Sequence, residues 1–364
     1  MQKFKNRKIL LAVTFAFALV LLLGFNPVAA EEEHEMVIAH YSISDPVEQG
    51  MQASLEYFKT NVEARTGGAV KVEIRGDGVL GTPEEYTREA IRGRTVQSAI
   101  LYAGSFSSFF DKYQLMTSPF LFPDYHTAWN FFDSDYFADF IDQARQETGL
   151  RVIGVYDDGG GLVAFTNSRR LIRHPEDMEG LLIRTEENPA HIAMIEALGA
   201  SAVPLAWGDV VTALGSGVAE GQFNAPSVNN YAQFWEVTDY TSWIPFVYNS
   251  AVWTVSDEWF MELPSDYQDI ILKTASEAIG VARGVDAQRS LLYWQDDSVK
   301  YEDSYIPTPE VLEEWAEVLQ PAFFEWITED FGIDAELVEE FWEAVDEVQQ
   351  AADEDVLGRL GRGR

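Results

Sequence analysis

Apolar residues follow two rhythms along this chain. Met36 to His40 runs almost without a polar break, as a buried strand does. Met51, Leu55, Phe58 and Val62 then recur at four, three and four, one apolar stripe of a helix over about 46–65 that Gly67-Gly68 stops. Val70 to Ile74 alternates toward a second strand, Thr82-Pro83-Glu84-Glu85 opens a capped helix, and Ser98 to Tyr102 reads as a third strand. The pattern predicts one helix from Tyr125 to Arg145 and a strand from Arg151 to Val155. Asp157-Asp158-Gly159-Gly160-Gly161 then breaks it, as either an interdomain hinge or an exposed loop.

The rhythm resumes with strands at 162–166 and 181–184, helices at about 189–198 and 209–214, a strand end or loop at 221–224 and a strand at 250–255. A long helix is expected from Asp266 to Leu292, capped by Ser265 and long enough to join two domains. The remainder is helical and aromatic, with Trp315 before Pro321, then Phe323, Phe324 and Trp326, and a last segment carrying Leu337, Phe341, Trp342 and Val345. Strands alternating with helices argue for an α/β layered fold.

Composition changes the picture in three ways. The N-terminus has Lys3, Lys5, Arg7 and Lys8, an apolar run from Ile9 to Phe25 and the small-residue end Val28-Ala29-Ala30, the form of a signal peptide over residues 1–30, with a retained anchor as the alternative. Losing those four basic residues takes the net charge from -35 to -39 over the remaining 334 residues. Such a surface repels nucleic acid and anionic lipid, and its self-repulsion suggests a salty external medium, where the screening length is about 3 Å at 1 M. The absence of cysteine excludes disulfides and thiolate chemistry.

Enzyme signatures are lacking. The five histidines, His34, His40, His126, His174 and His191, form no His-Glu-x-x-His pattern, and no Gly-x-Ser-x-Gly elbow occurs. A secreted hydrolase is therefore a distant alternative. No cofactor or metal is expected.

An ordered set of segments carries a resemblance. It consists of Leu80-Gly81 with Glu85, Pro119 to Phe122 with Asp124-Tyr125, Phe165 to Ser168, Pro175 to Gly180 leading to Ile183-Arg184, Thr212 to Leu214 with Gly217, and Glu220 to Pro226. Over roughly residues 36–290 the chain resembles the DctP-type solute-binding proteins of TRAP transporters. The resemblance implies a two-domain Venus-flytrap fold with crossing strands and a long domain-spanning helix. It also implies a monomer without enzymatic activity, ligand capture in the cleft, and delivery to a small and a large membrane subunit for gradient-driven uptake. A ligand-sensing periplasmic module would use the same cleft. The expected division is residues 31–158 with 247–290 as domain I, 159–246 with 291–350 as domain II and the C-terminal helices, and 351–364 as a flexible tail.

Arg184 matches the family arginine that binds the ligand carboxylate, and its rigid fork of donors suits that group. A structural ion pair is the other reading. Asn224 matches a family asparagine near the carboxylate, and could otherwise be a turn residue. Glu85 either lines the cleft or serves as a helix N-terminal acid. Trp207 and Tyr248 could offer aromatic faces to a ring or a cation, or fill a core. Many relatives carry a second arginine where this chain has Val163, so a single-arginine clamp is expected. That clamp suits a sugar acid, another organic acid or an ectoine-like zwitterion.

Overall fold

A computed structural model describes residues 33–359. The expected signal segment and residues 360–364 lie outside them. The first lobe begins with β1 (His34–Ala39), α1 (Gly50–Arg65), β2 (Val70–Arg75), α2 (Pro83–Arg92) and β3 (Ser98–Tyr102). It continues through α3 (Ala103–Ser107), α4 (Tyr125–Phe132), α5 (Asp135–Thr148) and β4 (Leu150–Leu162). The second lobe holds β5 (Ala164–Asn167), β6 (Leu182–Thr185), α6 (Pro189–Ala197), β7 (Ser201–Pro204), α7 (Val210–Ser216), β8 (Gly221–Asn224), α8 (Pro226–Tyr231) and β9 (Tyr240–Ser242). β10 (Tyr248–Ser256) returns to the first sheet, and α9 (Asp257–Glu262), α10 (Ser265–Lys300), β11 (Asp303–Tyr305), α11 (Pro309–Glu325) and α12 (Ala335–Arg359) follow.

The first sheet has the order β2-β1-β3-β10-β4 and the second β11-β9-β5-β8-β6-β7. In the first, β1 and β3 are parallel, with Ile38 opposite Ser98, and β10 is antiparallel to both neighbours, with Val252 between Leu101 and Val155. Ile38, Ala39, Ala99, Ile100 and Leu101 are fully buried, which is why these strands read as continuous apolar runs rather than alternating ones. The α1 stripe of Met51, Leu55, Phe58 and Val62 packs into one core with Ile38 and Ile100, while Ala39, Ala99 and Leu101 belong to another.

The chain crosses between the sheets at Val163. Leu162 still pairs with Tyr248 in the first sheet, while Ala164 pairs with Asn224 in the second. α10 spans both lobes, packing on α1 and β4 on one side and on α8 and β11 on the other. Of the C-terminal helices, α11 packs on α6 of the second lobe and α12 on α4 of the first. Residues 351–359 of the expected tail continue α12.

Two expectations are corrected. The helix foreseen from Tyr125 to Arg145 is two helices, because Ser134 accepts a hydrogen bond from the Phe137 amide at 3.2 Å and starts a new one. The glycine run is no exposed loop. Gly159, Gly160 and Gly161 are buried inside β4 with φ of 63°, 107° and 72°. A Cβ on Gly161 would lie 2.5 Å from the Tyr248 ring, so the missing side chain makes room for the returning strand.

Candidate functional site

β6 runs parallel to both β7 and β8, so the carboxyl ends of the three strands open on one edge of the second sheet. Open α/β sheets bind ligands at such an edge. Arg184 lies near the end of β6, opposite Val203 and Gln222. Its Nε and Nη2 donate to the Leu205 carbonyl at 3.1 and 2.8 Å, which fixes the plane of the guanidinium. The side chain is only 6% exposed, yet among the described residues it makes no close ion pair. Burial pulls its pKa down, and the nearby Glu186 charge opposes that shift. The Trp207 ring centroid lies 5.9 Å from the guanidinium carbon.

Glu186 follows two positions after Arg184. Burial alone would raise its pKa, but the hydrogen bond and charge of His191 and the charge of Arg184 outweigh that and hold it below the usual range. His191 Nδ1 lies 3.3 Å from Glu186 Oε1, and Asn188 Nδ2 donates to the same oxygen at 3.4 Å. This carboxylate already has partners within the protein.

The first lobe closes over this edge. Gln114 Nε2 donates to Asn188 Oδ1 at 3.0 Å across the lobes, and a Cβ on Gly104 would lie 3.0 Å from Glu186 Oε1. The first lobe also contributes from its own strand ends: Tyr41 follows β1, Tyr102 ends β3, and their rings meet edge to face with centroids 5.6 Å apart. Glu84, in the first turn of α2, accepts a hydrogen bond from Ser105, and its charge reaches Tyr86 and Tyr102. Asp158, on β4, has its carboxyl pushed up to about 6 by burial, and the Glu186 charge adds to that shift. The Asp158 charge also reaches Tyr86, Tyr231 and Asp286.

The expected site residues fall in different places. Arg184 and Trp207 stand together at the cleft edge. Asn224 ends β8 on the same edge, two residues beyond the strand partner of Arg184, and its amide donates to Gln222 Oε1 at 2.6 Å. Glu85 is exposed and completes a capping box: its Oε2 accepts from the Thr82 amide at 2.9 Å, while its own amide donates to Thr82 Oγ1 at 3.3 Å. Tyr248 is buried among Phe122, Tyr125 and Phe132, and its hydroxyl donates to Asp157 Oδ1 at 2.6 Å. Neither Glu85 nor Tyr248 is brought to Arg184. Val163 is buried in the apolar core at the crossing.

Sequence reasoning passed over Tyr41, Tyr102, Asp158, Glu186 and Tyr231. Four of these lie at or just past the ends of elements already foreseen, or two residues from Arg184, and the strand-end rule would have pointed to them. Among the described residues no group of three His, Cys, Asp or Glu is placed to hold a metal, and no helix is long and apolar enough to cross a membrane. Two open surface grooves beside α11, one bordered by Ile192 and Trp326 and the other by Phe324 and Trp342, do not include Arg184.

Comparison with known proteins agrees on one architecture. The family described as bacterial extracellular solute-binding protein, family 7, matches residues 41–329. The 2,3-diketo-L-gulonate-binding periplasmic protein YiaO of Escherichia coli strain K12 is 27% identical over 231 residues, which cover 64% of this chain and 69% of the relative. A TRAP periplasmic solute-binding protein from Ochrobactrum anthropi, with a C-terminus bound in its ligand-binding pocket, superposes with a TM-score of 0.79 at 25% identity, covering 89% of this chain and 98% of that one. The sugar acid binding protein of Advenella mimigardefordensis, in complex with galactonate, shares the fold with a TM-score of 0.77 at 23% identity, covering 87% and 99%.

Proposed function

This chain belongs to the bacterial extracellular solute-binding proteins of family 7, the DctP-type binding subunits of TRAP transporters, and from that premise we propose that it captures a small carboxylate-bearing solute between its lobes. It then presents the closed complex to a small and a large membrane subunit. The family is one of transport proteins, not enzymes, and works in the periplasm. The N-terminal segment 1–30 serves as the signal peptide, and the protein acts as a monomer. The net charge of -35 supports a role in a salty medium.

One observation carries the ligand class: a guanidinium that is nine-tenths buried, fixed in its plane and without a close ion pair of its own. Taking a charge out of water is costly unless a partner compensates it. A carboxylate from solution is the natural partner, and bidentate geometry favours it over a point anion. The named relatives agree in chemistry, since a sugar acid and a polypeptide C-terminus each present a carboxylate. Asn224 and Trp207 complete the second-lobe contacts. With Val163 in place of an arginine, the clamp uses one guanidinium.

Closure follows if the solute touches both lobes, because only a ligand with differential affinity for the closed state can shift that equilibrium. Calorimetry of Arg184→Ala and Arg184→Lys against a panel of sugar acids, 2-oxo acids and C4-dicarboxylates tests the reading. Loss of a buried charge-assisted pair costs roughly 2–5 kcal/mol, so affinity falls at least about thirtyfold in the alanine variant, and lysine restores only part of it. Unchanged affinity in both variants, with the fold intact by circular dichroism, would remove Arg184 from the site.

A further inference from the structure

The outward face of α10 carries no charge over its second half. Gly280, Gly284, Gln288, Leu292, Gln295 and Val299 are all exposed and recur at intervals of three and four, so they form one stripe about 30 Å long. Leu291 and Leu292 are 61% and 52% exposed, and Val299 is 81% exposed. In a chain with 60 acidic residues a neutral, partly apolar strip of this length is unusual. The acids that border it are already paired: Glu277 with Arg65 at 2.7 Å, and Asp296 with Lys300 at 3.8 Å.

The two glycines on the stripe have no explanation within the fold. Glycine is the least favourable residue in a helix interior after proline. Both lie inside a 36-residue helix, and a Cβ at either would meet nothing within 4 Å. No close approach inside the molecule needs them. They leave open notches on the surface, next to exposed leucines on the same stripe. Notch and knob are also evenly spaced about Gln288. Gly284 lies four residues before it and Leu292 four residues after, about 6 Å along the axis in each direction. Val285 and Leu291 lie three residues before and after.

We infer that this stripe pairs with the same stripe of a second copy of the chain, the two α10 helices running antiparallel about a two-fold axis at Gln288. A two-fold interface must be complementary to itself, and this arrangement sets Leu292 of each copy into the Gly284 notch of the other and Leu291 against Val285. Glycine at the crossing lets the two helix backbones approach closely. Charge favours the same occupant. A cationic partner would be met by acids, whereas two bodies of net charge -35 can touch only along a strip that carries none. One helix pair buries less than the roughly 1,600 Å² of a standard interface, so the association is weak and reversible. The monomer therefore remains the unit that captures and delivers solute, and pairing is a separate property of the protein at high concentration.

Analytical ultracentrifugation from about 10 μM to 1 mM protein, in about 1 M sodium chloride to screen the repulsion, tests the pairing. Wild type passes from monomer to dimer over that range. Gly284→Gln fills the notch and Leu292→Glu charges the knob, and each weakens association about tenfold or more. Gly284→Gln also separates pairing from folding: in dilute solution its Tm rises by about 1–2 °C, because glutamine is the better helix former and meets open space. The chain has no cysteine, so single cysteines report the register. Under mild oxidation Gln288→Cys links two copies at the axis. Gln295→Cys does not, since seven residues from the axis its two copies stand about 20 Å apart, beyond the reach of about 7 Å between Cα atoms that a disulfide allows. Three results would overturn the inference: wild type monomeric at the highest concentration, which would leave the stripe to a different protein; dimerisation indifferent to both substitutions; or linkage at Gln295→Cys equal to that at Gln288→Cys. None of these variants touches Arg184, so the outcome is independent of the carboxylate reading.

Discussion

Replacing Gly161 with alanine separates two reasons for a glycine at the lobe crossing. The first is backbone conformation. With φ at +72°, an L-residue there pays about 1–2 kcal/mol. The second is space, since the new Cβ would lie 2.5, 2.7 and 2.9 Å from three atoms of the Tyr248 ring. That ring cannot swing aside cheaply. It packs on Phe122, Tyr125 and Phe132, and its hydroxyl is tied to Asp157. Forcing a methyl into such a core costs about 1–3 kcal/mol more. Gly149 provides the control, because its φ is +75° and a Cβ there meets nothing within 4 Å. Gly149→Ala carries the backbone cost alone. For a chain of this size each kcal/mol lowers the Tm by about 2 °C, so Gly149→Ala loses roughly 2–4 °C and Gly161→Ala roughly 4–10 °C. Scanning calorimetry with near-ultraviolet circular dichroism measures both, and only the second variant should alter the tyrosine signal. Equal losses would refute the close-packing argument and leave conformation as the sole role of the glycine.

Three further predictions concern buried charge and salt. The Asp158 carboxyl lies above its ordinary value of 3.8, so its ionisation opposes folding: the penalty is absent below about pH 4 and fully present above about pH 6, at most about 3 kcal/mol. Without ligand, Asp158→Asn should gain stability over wild type as pH rises from 4 to 7, and a constant difference in Tm across that range would contradict the assignment. Tyr248→Phe leaves Asp157 with the Trp129 Nε1 hydrogen bond at 2.7 Å but without the hydroxyl; denaturant unfolding should show a loss of about 1–3 kcal/mol, with ligand affinity retained. A large affinity loss at unchanged stability would return Tyr248 to the ligand. With a net charge of -35, the Tm should rise steadily from low salt to about 1 M sodium chloride as repulsion is screened; a flat or falling curve would argue against salt adaptation.

Local signals make much of the fold legible in the chain itself. The strands at Ser98–Tyr102 and Val70–Arg75 and the helix stripe from Met51 to Val62 depend on neighbours within one or two turns of chain, and they appear where periodicity puts them. Thr82 to Glu85 forms its cap for the same reason: every group in that box lies within three residues. Periodicity carries the helix at Tyr125 too far, because the serine that restarts it sits in a three-residue gap between two aromatic pairs, Phe131-Phe132 and Tyr136-Phe137. Arg184 stands out through residue type, strand-end position and the ordered motifs around it.

Other features depend on which segments meet. Gly159 to Gly161 can be identified as permissive residues, but whether they form a loop or a packed strand depends on Val228, Ser290 and Tyr248, which lie far along the chain and pack against them in turn. Glu84 and Glu85 are alike in sequence, yet one turns to Ser105 beneath Tyr102 and the other folds back on Thr82. Asp157 and Asp158 diverge in the same way, since adjacent residues on a strand face opposite sides: the Asp157 carboxylate accepts from Tyr248 and Trp129 in the core, and Asp158 shares neither partner. Chain chemistry alone determined an acidic α/β protein with a candidate anion receptor. Only tertiary structure decided that its guanidinium is buried and held by the Leu205 carbonyl without a close ion pair, because burial and charge pairing depend on which segments meet and not on the sequence of either one.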